Sequence, residues 1–541
     1  MPEPRPRPLV LCVLDGVGLA DEGPDNLVSC ATMPTYRRLL ERGAATSLDA
    51  SGSQVGLPEG ARGNGEAGHL TLGAGRIVPS ACVRIDEALA QGKLGRNATL
   101  DALYQLAVYD GAPLHLVGLL STAGVHSAFE HLLALVDLAA FHEVPVVVHA
   151  ILDGVDTPPK AAAALLDRLS LHLEGKRAQL GTLAGRHYAM DIDGRWDRVS
   201  LAYQAIVRDK VLGPFAPRAE SAFDALNLAY LQGQTDAFVE PTRLGEYAGL
   251  RGDFLCDFSD SPPVWEWTGE DCGLVVNHRP DGLRQLTQLL ARADLPDEVT
   301  KDLLMDRHHP VRAFRDRYLA TLVPMSHGLS LPAAFSSPPL AATLGATLSA
   351  AGLTQLRIAE SDRRDHVTTF FDGRAATLPV GADLELVPAP RLIERPDERP
   401  ALHVARVAER AATAIAAGSH DVILVHLGNA ERVAGTGDRA ARLEALEALD
   451  RALAQITEAV ASAEGALVVT ADHGGCEAHE DKRGRRLGAH SSNPVPLLLA
   501  ADGHGTLRAG GSLADVAPTV LALLGLEAPA EMTGRSLLAS A

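Results

Sequence analysis

The sequence has no long apolar run and no surplus of positive charge. Nowhere do 18 apolar residues follow one another, so no segment predicts a membrane-spanning helix, and the apolar run near the N-terminus is too short for a signal peptide. The 68 acidic residues outnumber the 49 basic ones, which gives a formal net charge of −19. Nucleic-acid binding needs clustered Lys and Arg. We therefore expect a cytoplasmic protein with neither a nucleic-acid nor a membrane partner.

The cysteines also lack the paired spacing of a disulfide framework. Several of them stand inside apolar runs such as LVLCVLDG. We therefore expect reduced thiols in the core, in a reducing compartment. The cysteines are Cys12, Cys30, Cys82, Cys256, Cys272 and Cys476.

What the sequence does contain is an alternation of buried-type strands and amphipathic helices. With 541 residues, 46% hydrophobic and 22% charged, the chain is a globular protein too long for one ordinary core. RAARLEALEALDRALAQITEAVASAEG repeats apolar positions three and four apart and predicts a helix that stops at Gly465. The alternation indicates an α/β protein with mostly parallel sheets. The clearest strand runs are PLVLCVLDG, PLHLVGLLS, VPVVVHAILDG, HDVILVHLGN, GALVVTADHGG and NPVPLLLAADG.

Polar residues that could bind a metal stand where these runs end. Parallel sheets bind ligands beyond the carboxyl ends of their strands. Asp15 ends the first run, and Glu431 follows VILVHLGN. Asp472 and His473 end ALVVTADHGG, and His490 precedes PVPLLLAA. An Asp-Gly after a strand is also a common turn, but the Asp-His pair offers one oxygen and one nitrogen ligand suited to Mn²⁺ or Zn²⁺.

The glycine-rich stretch ARGNGEAGHLTLGAG matches the dinucleotide fingerprint G-x-G-x-x-G at Gly63, Gly65 and Gly68. That fingerprint follows a buried strand and opens a helix. Here the flanks SGSQVGLPEG and HLTLGAGRIVPS are turn-rich and lack helical periodicity. The sequence therefore predicts a loop that does not bind a dinucleotide.

Taken together and in order, these segments resemble the cofactor-independent phosphoglycerate mutases of the alkaline phosphatase superfamily. The resemblance implies a monomer, the glycolytic interconversion of 2- and 3-phosphoglycerate, and no organic cofactor. It also implies a metal-bearing phosphatase-type domain, residues 1–83 and 323–541, and an inserted α/β transferase-type domain, residues 84–322. The motifs that carry it include LCVLDGVG, GNGEAGHLTLGAGR, LDGVDTPP, NHRPDG, LRIAESDRRDHVTTFF, TADHGG and AHSSNPVP.

The glycine-rich stretch resembles the family segment G-N-S-E-x-G-H, in which a metal-activated Ser takes the phosphoryl group from one hydroxyl of the glycerate and returns it to the other. Gly65 stands at the position of that Ser. Ser51, Ser53 and Thr71 lie elsewhere in the chain, and a displaced nucleophile loses on the order of a hundredfold per ångström. The resemblance thus implies the fold without the nucleophile.

The family's metal ligands are only partly present. Gly65 replaces one ligand of the first ion, and Gly435 replaces one ligand of the second. We therefore expect one Mn²⁺ rather than two. The matching ligands are Asp15, Asp472 and His473 for one ion, and Glu431 and His490 for the other.

The segment GGCEAHED offers replacement ligands in Cys476, Glu477 and His479. An exposed polar loop is the alternative interpretation of this segment, because its composition is that of a turn.

The substrate-binding residues of the family are thinned as well. Arginines of the family are replaced by Val155, Ile192 and Gly282. A charge-assisted hydrogen bond contributes roughly 1.5–3 kcal/mol, so a small phosphorylated carboxylate should bind weakly. The retained residues are His126, Asp156, Arg186 and Arg279, with Arg363 where the family has Lys.

Three functions fit these replacements. The first, which we favour, is a homologue without mutase activity. The second is a phosphohydrolase in which a metal-bound hydroxide attacks the phosphoryl group beside Gly65. The third is a mutase preserved by a compensation elsewhere in the chain.

Overall fold

Two seven-stranded sheets form the frame of the protein, each in its own part of the chain. The computed structural model describes residues 6–42, 44–191, 194–207, 216–247, 249–250, 254–257, 264–267, 271–293, 295–296, 299, 314, 316–325, 329–336, 338–388, 398–401, 403–434, 438–478, 490–501 and 506–539. Two compact units divide the chain: unit 1 is Met1–Ser80 with Pro338–Ala541, and unit 2 is Ala81–Ser337. The motifs suggest domain boundaries after residues 83 and 322, whereas the two units divide after Ser80 and after Ser337.

Numbered along the chain, the strands of the described residues are β1 Leu9–Leu14, β2 Ala44–Leu48, β3 Leu114–Leu120, β4 Val146–Leu152, β5 Ala178–Gly185, β6 Arg218–Ala219, β7 Thr242–Leu244, β8 Phe254–Asp257, β9 Val264–Trp267, β10 Cys272–Val275, β11 Leu319–Thr321, β12 Gln355–Glu360, β13 Ala382–Val387, β14 Val422–Leu427, β15 Ala466–Thr470 and β16 Val495–Ala500.

The α-helices of the same residues are α1 Leu27–Cys30, α2 Pro34–Arg42, α3 Gly65–Ala74, α4 Ala81–Ala90, α5 Ala98–Tyr109, α6 Phe129–Phe141, α7 Ala162–Leu173, α8 Arg186–Ala189, α9 Trp196–Val207, α10 Ala222–Leu231, α11 Arg284–Ala291, α12 Leu344–Ala350, α13 Val404–Ala417, α14 Asn429–Ala434, α15 Arg439–Ser462 and α16 Val516–Leu523. None of these helices combines the length and the apolar character that crossing a bilayer requires.

The sheet of unit 1 is mostly parallel and has the order β13-β12-β14-β1-β15-β16-β2. β1 pairs in parallel with β14 and β15, whereas β16 runs antiparallel to β15 and β2. All six residues of β1 are buried, as expected for a central strand covered on both faces. α13 and α15 pack against each other, and α15 confirms the helix predicted from its periodicity.

The sheet of unit 2 has the order β11-β10-β3-β4-β5-β7-β6. The five strands from β11 to β5 are parallel, and β7 runs antiparallel to β5. β8 and β9 form a separate antiparallel pair. The predicted α/β class with mostly parallel sheets is therefore confirmed.

One local prediction was wrong. The stretch that begins at Gly65 forms the helix α3, which Asn64 caps by accepting a hydrogen bond from the amide of Ala67 at 2.9 Å. Eight consecutive residues of α3 are buried, from Ala67 to Ala74. A helix that is covered on every side has no polar face, so it shows none of the periodicity on which the prediction depended.

The thiols largely follow the prediction. Cys12, Cys82, Cys272 and Cys476 are free and buried. Cys30 is free but exposed, so its assignment to the core was wrong. The side chain of Cys256 lies outside the described residues.

Candidate functional site

The sequence-predicted metal ligands of unit 1 stand at one edge of its sheet. Asp15 directly follows β1, Asp472 and His473 follow β15, and Glu431 lies on α14 just after β14. His490 precedes β16, which is antiparallel to β15. The beginning of an antiparallel strand lies at the same edge as the ends of its parallel neighbours, and this topology brings all five side chains together.

These residues form two overlapping groups. One ligand atom of each of Asp15, Asp472 and His473 lies within 4.8 Å of the other two, and the same holds for Glu431, His473 and His490. His473 Nε2 lies 3.4 Å from Asp15 Oδ1 and 3.7 Å from Asp472 Oδ2. His490 Nε2 lies 3.9 Å from Glu431 Oε1. Gly435, which replaces a family ligand, lies outside the described residues.

Arg363 lies between the carboxylates of the two groups. Its Nε is 3.4 Å from Asp15 Oδ2, and its Nη2 donates to Glu431 Oε2. The sequence assigned Arg363 to the substrate, but in unit 1 its guanidinium pairs with two would-be metal ligands. Burial alone would raise the pKa of Glu431, but the charges of Arg363, His490 and His473 together outweigh burial and lower it.

The buried carboxylates and His473 depend on one another for their charge. Burial raises the pKa of Asp15, and the charge of Asp472 raises it further. Burial alone would lower the pKa of His473, but Asp472 and Asp15 outweigh burial and raise that pKa to about 10. The imidazolium of His473 in turn holds the pKa of Asp472 well below its ordinary value, against the effect of burial.

Gly65, the first residue of α3, faces this site. A Cβ added at Gly65 would lie 3.4 Å from Asp472 Oδ2 and 2.7 Å from His366 Nε2. The second distance is shorter than real Cβ contacts, so the His366 ring occupies the space that a side chain at position 65 would need.

Three histidines that the sequence analysis missed surround this point. The ring centroids of His69 and His366 are 5.0 Å apart, those of His69 and His426 are 5.1 Å apart, and those of His366 and His426 are 5.4 Å apart. Burial lowers the pKa of both His366 and His426 well below the ordinary value. A signal existed for His426, because it is a polar residue in the otherwise apolar run VILVHLG.

Cys476 and Glu477 are buried, so the alternative of an exposed polar loop was wrong for both. Burial raises the pKa of the Cys476 thiol well above its ordinary value, and a protonated thiol is a poor metal ligand. His479 lies outside the described residues. Glu477 is committed to binding the surrounding loops, because its carboxylate accepts hydrogen bonds from Gly18 N at 2.9 Å, Gly475 N at 2.7 Å, Ser491 Oγ at 2.5 Å and Asn493 Nδ2 at 2.8 Å.

The other predicted substrate residues lie in unit 2, again after parallel strands. His126 follows β3, Asp156 follows β4, Arg186 follows β5 and Arg279 follows β10. They therefore share the carboxyl edge of the unit 2 sheet.

Carboxylates of the chain itself already pair with the basic members of this set. Arg186 Nη1 donates to Asp153 Oδ1 at 2.6 Å and to Asp156 Oδ2 at 2.7 Å. Arg279 Nη2 lies 2.8 Å from Asp281 Oδ2, and His126 Nδ1 lies 3.5 Å from Asp281 Oδ1. An incoming anion would have to compete with these internal ion pairs.

The positions of the replaced arginines provide no cation. Val155 is 65% exposed. A Cβ added at Gly282 would lie 2.5 Å from the Met190 methyl group, so Met190 fills that space. Ile192 lies outside the described residues.

The donor set of unit 1 suits a metal ion. The Oδ2 atoms of Asp15 and Asp472 are buried, and their nearest donors, Arg363 Nε at 3.4 Å and His69 Nδ1 at 3.2 Å, are not aligned for good hydrogen bonds. A buried carboxylate oxygen without a well-aligned hydrogen bond is costly, and a divalent cation beside the His473 imidazole would remove that cost.

Comparisons with known proteins indicate the family to which the chain belongs. A family model described as the Metalloenzyme superfamily matches residues 7–528. The chain is 39% identical over 542 residues to a 2,3-bisphosphoglycerate-independent phosphoglycerate mutase of Cyanothece sp., covering 98% of this chain and 95% of the relative. It is 38% identical over 537 residues to the enzyme of the same name from Haloquadratum walsbyi, covering 98% and 99%.

Among solved structures, the chain is similar to a crystal structure of Leishmania mexicana phosphoglycerate mutase at low cobalt concentration. The TM-score is 0.83 at 26% sequence identity, with 100% of this chain and 99% of that chain covered. The fold is therefore alkaline-phosphatase-like, and dependence on a metal ion follows from the family. The chain belongs to the Metalloenzyme superfamily and, within it, to the 2,3-bisphosphoglycerate-independent phosphoglycerate mutases.

Proposed function

We propose that this chain is a metal-binding member of the mutase family that does not interconvert 2- and 3-phosphoglycerate. The observation that carries the proposal is Gly65, which stands beside Asp472 without a hydroxyl and with the His366 ring in the space of its missing side chain. Removing a covalent nucleophile typically costs about a millionfold in turnover.

The hydroxyls nearest in sequence are already engaged elsewhere. Ser51 Oγ donates to the Ser492 carbonyl at 3.2 Å, and Ser53 Oγ donates to Glu59 at 2.9 Å. Thr71 is buried within α3 and donates to the Ala67 carbonyl at 2.8 Å. These bonds argue against the third hypothesis, in which another residue of this stretch compensates for the lost Ser.

The ligand of unit 2 is, in this proposal, a small phosphorylated carboxylate that binds weakly. Arg186 and Arg279 supply the positive charge, and the bonds that they make to Asp153, Asp156 and Asp281 oppose its capture. Each ion pair between an arginine and the anion gains little net free energy, because the arginine must first give up the carboxylate that it already binds.

The proposal includes one divalent ion in unit 1. Mn²⁺ is the ion that the family resemblance implies, and the Asp15–Asp472–His473 group supplies oxygen and nitrogen ligands for it. A cytoplasmic monomer without nucleic-acid or membrane partners completes the proposal. The buried free thiols suit a reducing compartment.

The test is to incubate the purified protein with Mn²⁺ and 3-phosphoglycerate, remove the metal with a chelator, and record the phosphorus NMR spectrum. We expect an unchanged spectrum. Formation of 2-phosphoglycerate at an ordinary enzymatic rate would refute the proposal. Release of inorganic phosphate would instead support the hydrolytic alternative.

The matched control is Asp472→Ala, purified in the same way, because it removes a ligand from the site and leaves any contaminating host enzyme in place. Product that forms equally in both preparations comes from the contaminant. Product that disappears in Asp472→Ala comes from this site.

A further inference from the structure

A further cluster of metal-binding side chains lies within unit 2, between the helices α4 and α6. Cys82 and Asp86 are about one turn apart on α4, and His131 lies on α6. We propose that these three side chains bind a Zn²⁺ ion, with water as the fourth ligand, and that the ion ties α4 to α6. The three residues are called the thiol site below. The proposal is independent of the ion in unit 1 and of the proposed function.

The three side chains meet because of their positions on the two helices. Residues four apart lie on the same face of an α-helix, so Cys82 and Asp86 are neighbours, and α4 packs against α6. His131 Nε2 lies 2.7 Å from Asp86 Oδ1, and the Cys82 thiol donates to Asp86 Oδ2 at 3.8 Å. One ligand atom of each residue lies within 4.8 Å of the other two. The donors are therefore already together before any ion enters.

The separations are close to those that Zn²⁺ requires. Ligand atoms bound tetrahedrally at ~2.3 Å for sulfur and ~2.0–2.2 Å for nitrogen and oxygen lie about 3.3–3.6 Å from one another. His131 Nε2 and Asp86 Oδ1 would have to separate by about 0.6 Å, and the Cys82 sulfur and Asp86 Oδ2 would have to approach by about 0.2 Å. The Asp86 side chain is 51% exposed, so it can rotate by this amount without repacking the core.

The thiol is the observation that an ordinary ion pair does not explain. Cys82 is 3% exposed and His131 is 1% exposed. Among the described residues, Asp86 is the one side chain with which either of them forms a hydrogen bond, and His131 Nδ1 is buried without a partner. Burial and the charge of Asp86 raise the pKa of the Cys82 thiol to about 12. A buried thiol against a carboxylate is unfavourable, and a cation bound to both would reverse that effect.

The donor set also defines the kind of ion. A thiolate, an imidazole and a carboxylate are ligands of Zn²⁺, whereas Mn²⁺ and Mg²⁺ prefer oxygen. Binding releases the proton of the Cys82 thiol to the solvent. The thiolate and the Asp86 carboxylate then balance the two positive charges of the ion, and His131 binds as a neutral ring. The exposed side of Asp86 gives water access to the fourth position.

Cobalt absorption tests the proposal on the full-length protein. The protein is stripped of metal under reducing conditions and titrated with Co²⁺, which takes the place of Zn²⁺ in tetrahedral sites. A sulfur-to-cobalt charge-transfer band in the near ultraviolet forms only when a thiolate binds the ion. The Asp15–Asp472–His473 group contains no thiol, so an ion bound there gives no such band. We expect the band in the wild-type protein, and its absence would overturn the proposal.

Two substitutions then locate the ion. Cys82→Ser should abolish the band, and a band that survives this change would overturn the proposal. His131→Gln should raise the Co²⁺ concentration at half-saturation of the band by more than about 100-fold, because the loss of an outer partner of a ligand already costs about 10–100-fold. Circular dichroism of each metal-free variant shows whether it is folded. If Cys82→Ser is unfolded, His131→Gln decides, and an unchanged half-saturation would overturn the proposal.

Two matched controls exclude other thiolates. Cys30 is the exposed thiol among the described free cysteines, so Cys30→Ser removes the most accessible adventitious ligand. Asp472→Ala removes a ligand of the unit 1 ion. Both variants should keep the band with an unchanged half-saturation. Loss of the band in Cys30→Ser would show adventitious binding, and loss in Asp472→Ala would place the thiolate in unit 1; either result would overturn the proposal.

Discussion

Replacing Gly65 by Ala tests whether the His366 ring fills the space that a side chain at position 65 would need. The new Cβ would lie 2.7 Å from His366 Nε2 and 3.1 Å from its Cδ2, whereas ordinary contacts begin at 3.4 Å. The ring must therefore move by about 0.7 Å, in a place where it also contacts the rings of His69, His426 and Phe370. Overpacking of this kind costs about 1–3 kcal/mol.

A double-mutant cycle isolates this contact from other effects of the substitution. In a His366→Ala background the ring is absent, so Gly65→Ala should cost almost nothing. The coupling free energy between the two positions should then be about 1–3 kcal/mol. All four proteins are compared in the presence of a chelator, so that metal binding does not contribute.

The assay must report on unit 1 alone, because a single unfolding free energy is not well defined for a chain of two units. Trp196, Trp265 and Trp267 all belong to unit 2, so tryptophan fluorescence does not follow unit 1. Hydrogen exchange with mass spectrometry on peptides that cover β1 and β15 does. A Gly65→Ala penalty that is equal in both backgrounds, or absent in both, would refute the steric reasoning.

Three further predictions concern charge and buried hydrogen bonds. Arg363→Met should destabilise unit 1 by about 3–5 kcal/mol in the same exchange assay, because it leaves the buried Asp15 and the partly buried Glu431 without their cation. A loss below about 1 kcal/mol would contradict the ion-pair assignment. In unit 2, burial lowers the pKa of His149 well below its ordinary value and that of His278 to about 3, so the unfolded state takes up protons first as the pH falls below about 6.5. The unfolding free energy of unit 2, measured by urea unfolding with tryptophan fluorescence, should therefore fall by about 1.4 kcal/mol per pH unit for each ring between pH 6 and 4. His149→Gln should reduce this slope by the contribution of one ring. An unchanged slope in His149→Gln would be inconsistent with a buried neutral ring at position 149. Glu477→Gln should destabilise unit 1 by about 2–5 kcal/mol, because the amide has one acceptor oxygen for the four donors that the carboxylate binds. Hydrogen exchange of peptides that cover β15 measures the loss, and unchanged exchange would contradict this reasoning.

The strands could be predicted because of how parallel sheets are covered. β1, β14 and β15 are buried on both faces, so each is a continuous apolar run in the sequence. Ligands bind beyond the carboxyl ends of such strands, and this rule predicts Asp15 and Asp472 at the same edge of the sheet.

The cluster of His69, His366 and His426 could not be predicted in the same way, since it depends on side-chain direction and not on strand order. His426 lies inside β14, and His366 lies on a short π-helical turn, His366–Phe370. Neither follows a strand end, and no spacing in the sequence relates them to His69 on α3. The pairing of Arg363 with Asp15 and Glu431 was missed for the same reason, because a charge at a strand end does not reveal its partner.

The charges of the described site favour the proposed single ion over two ions. Asp15 and Asp472 are buried carboxylates and Glu431 is a partly buried one, and Arg363 and the imidazolium of His473 are two cations. His366 and His426 add no charge, because burial lowers the pKa of both rings well below the ordinary value, so one negative charge remains before any ion enters. One divalent ion changes that balance to one positive charge, whereas two would leave three positive charges in a largely buried place, which is costly. Arg363 therefore supplies part of the positive charge that a second ion would bring to this site, which supports the proposal of a single ion.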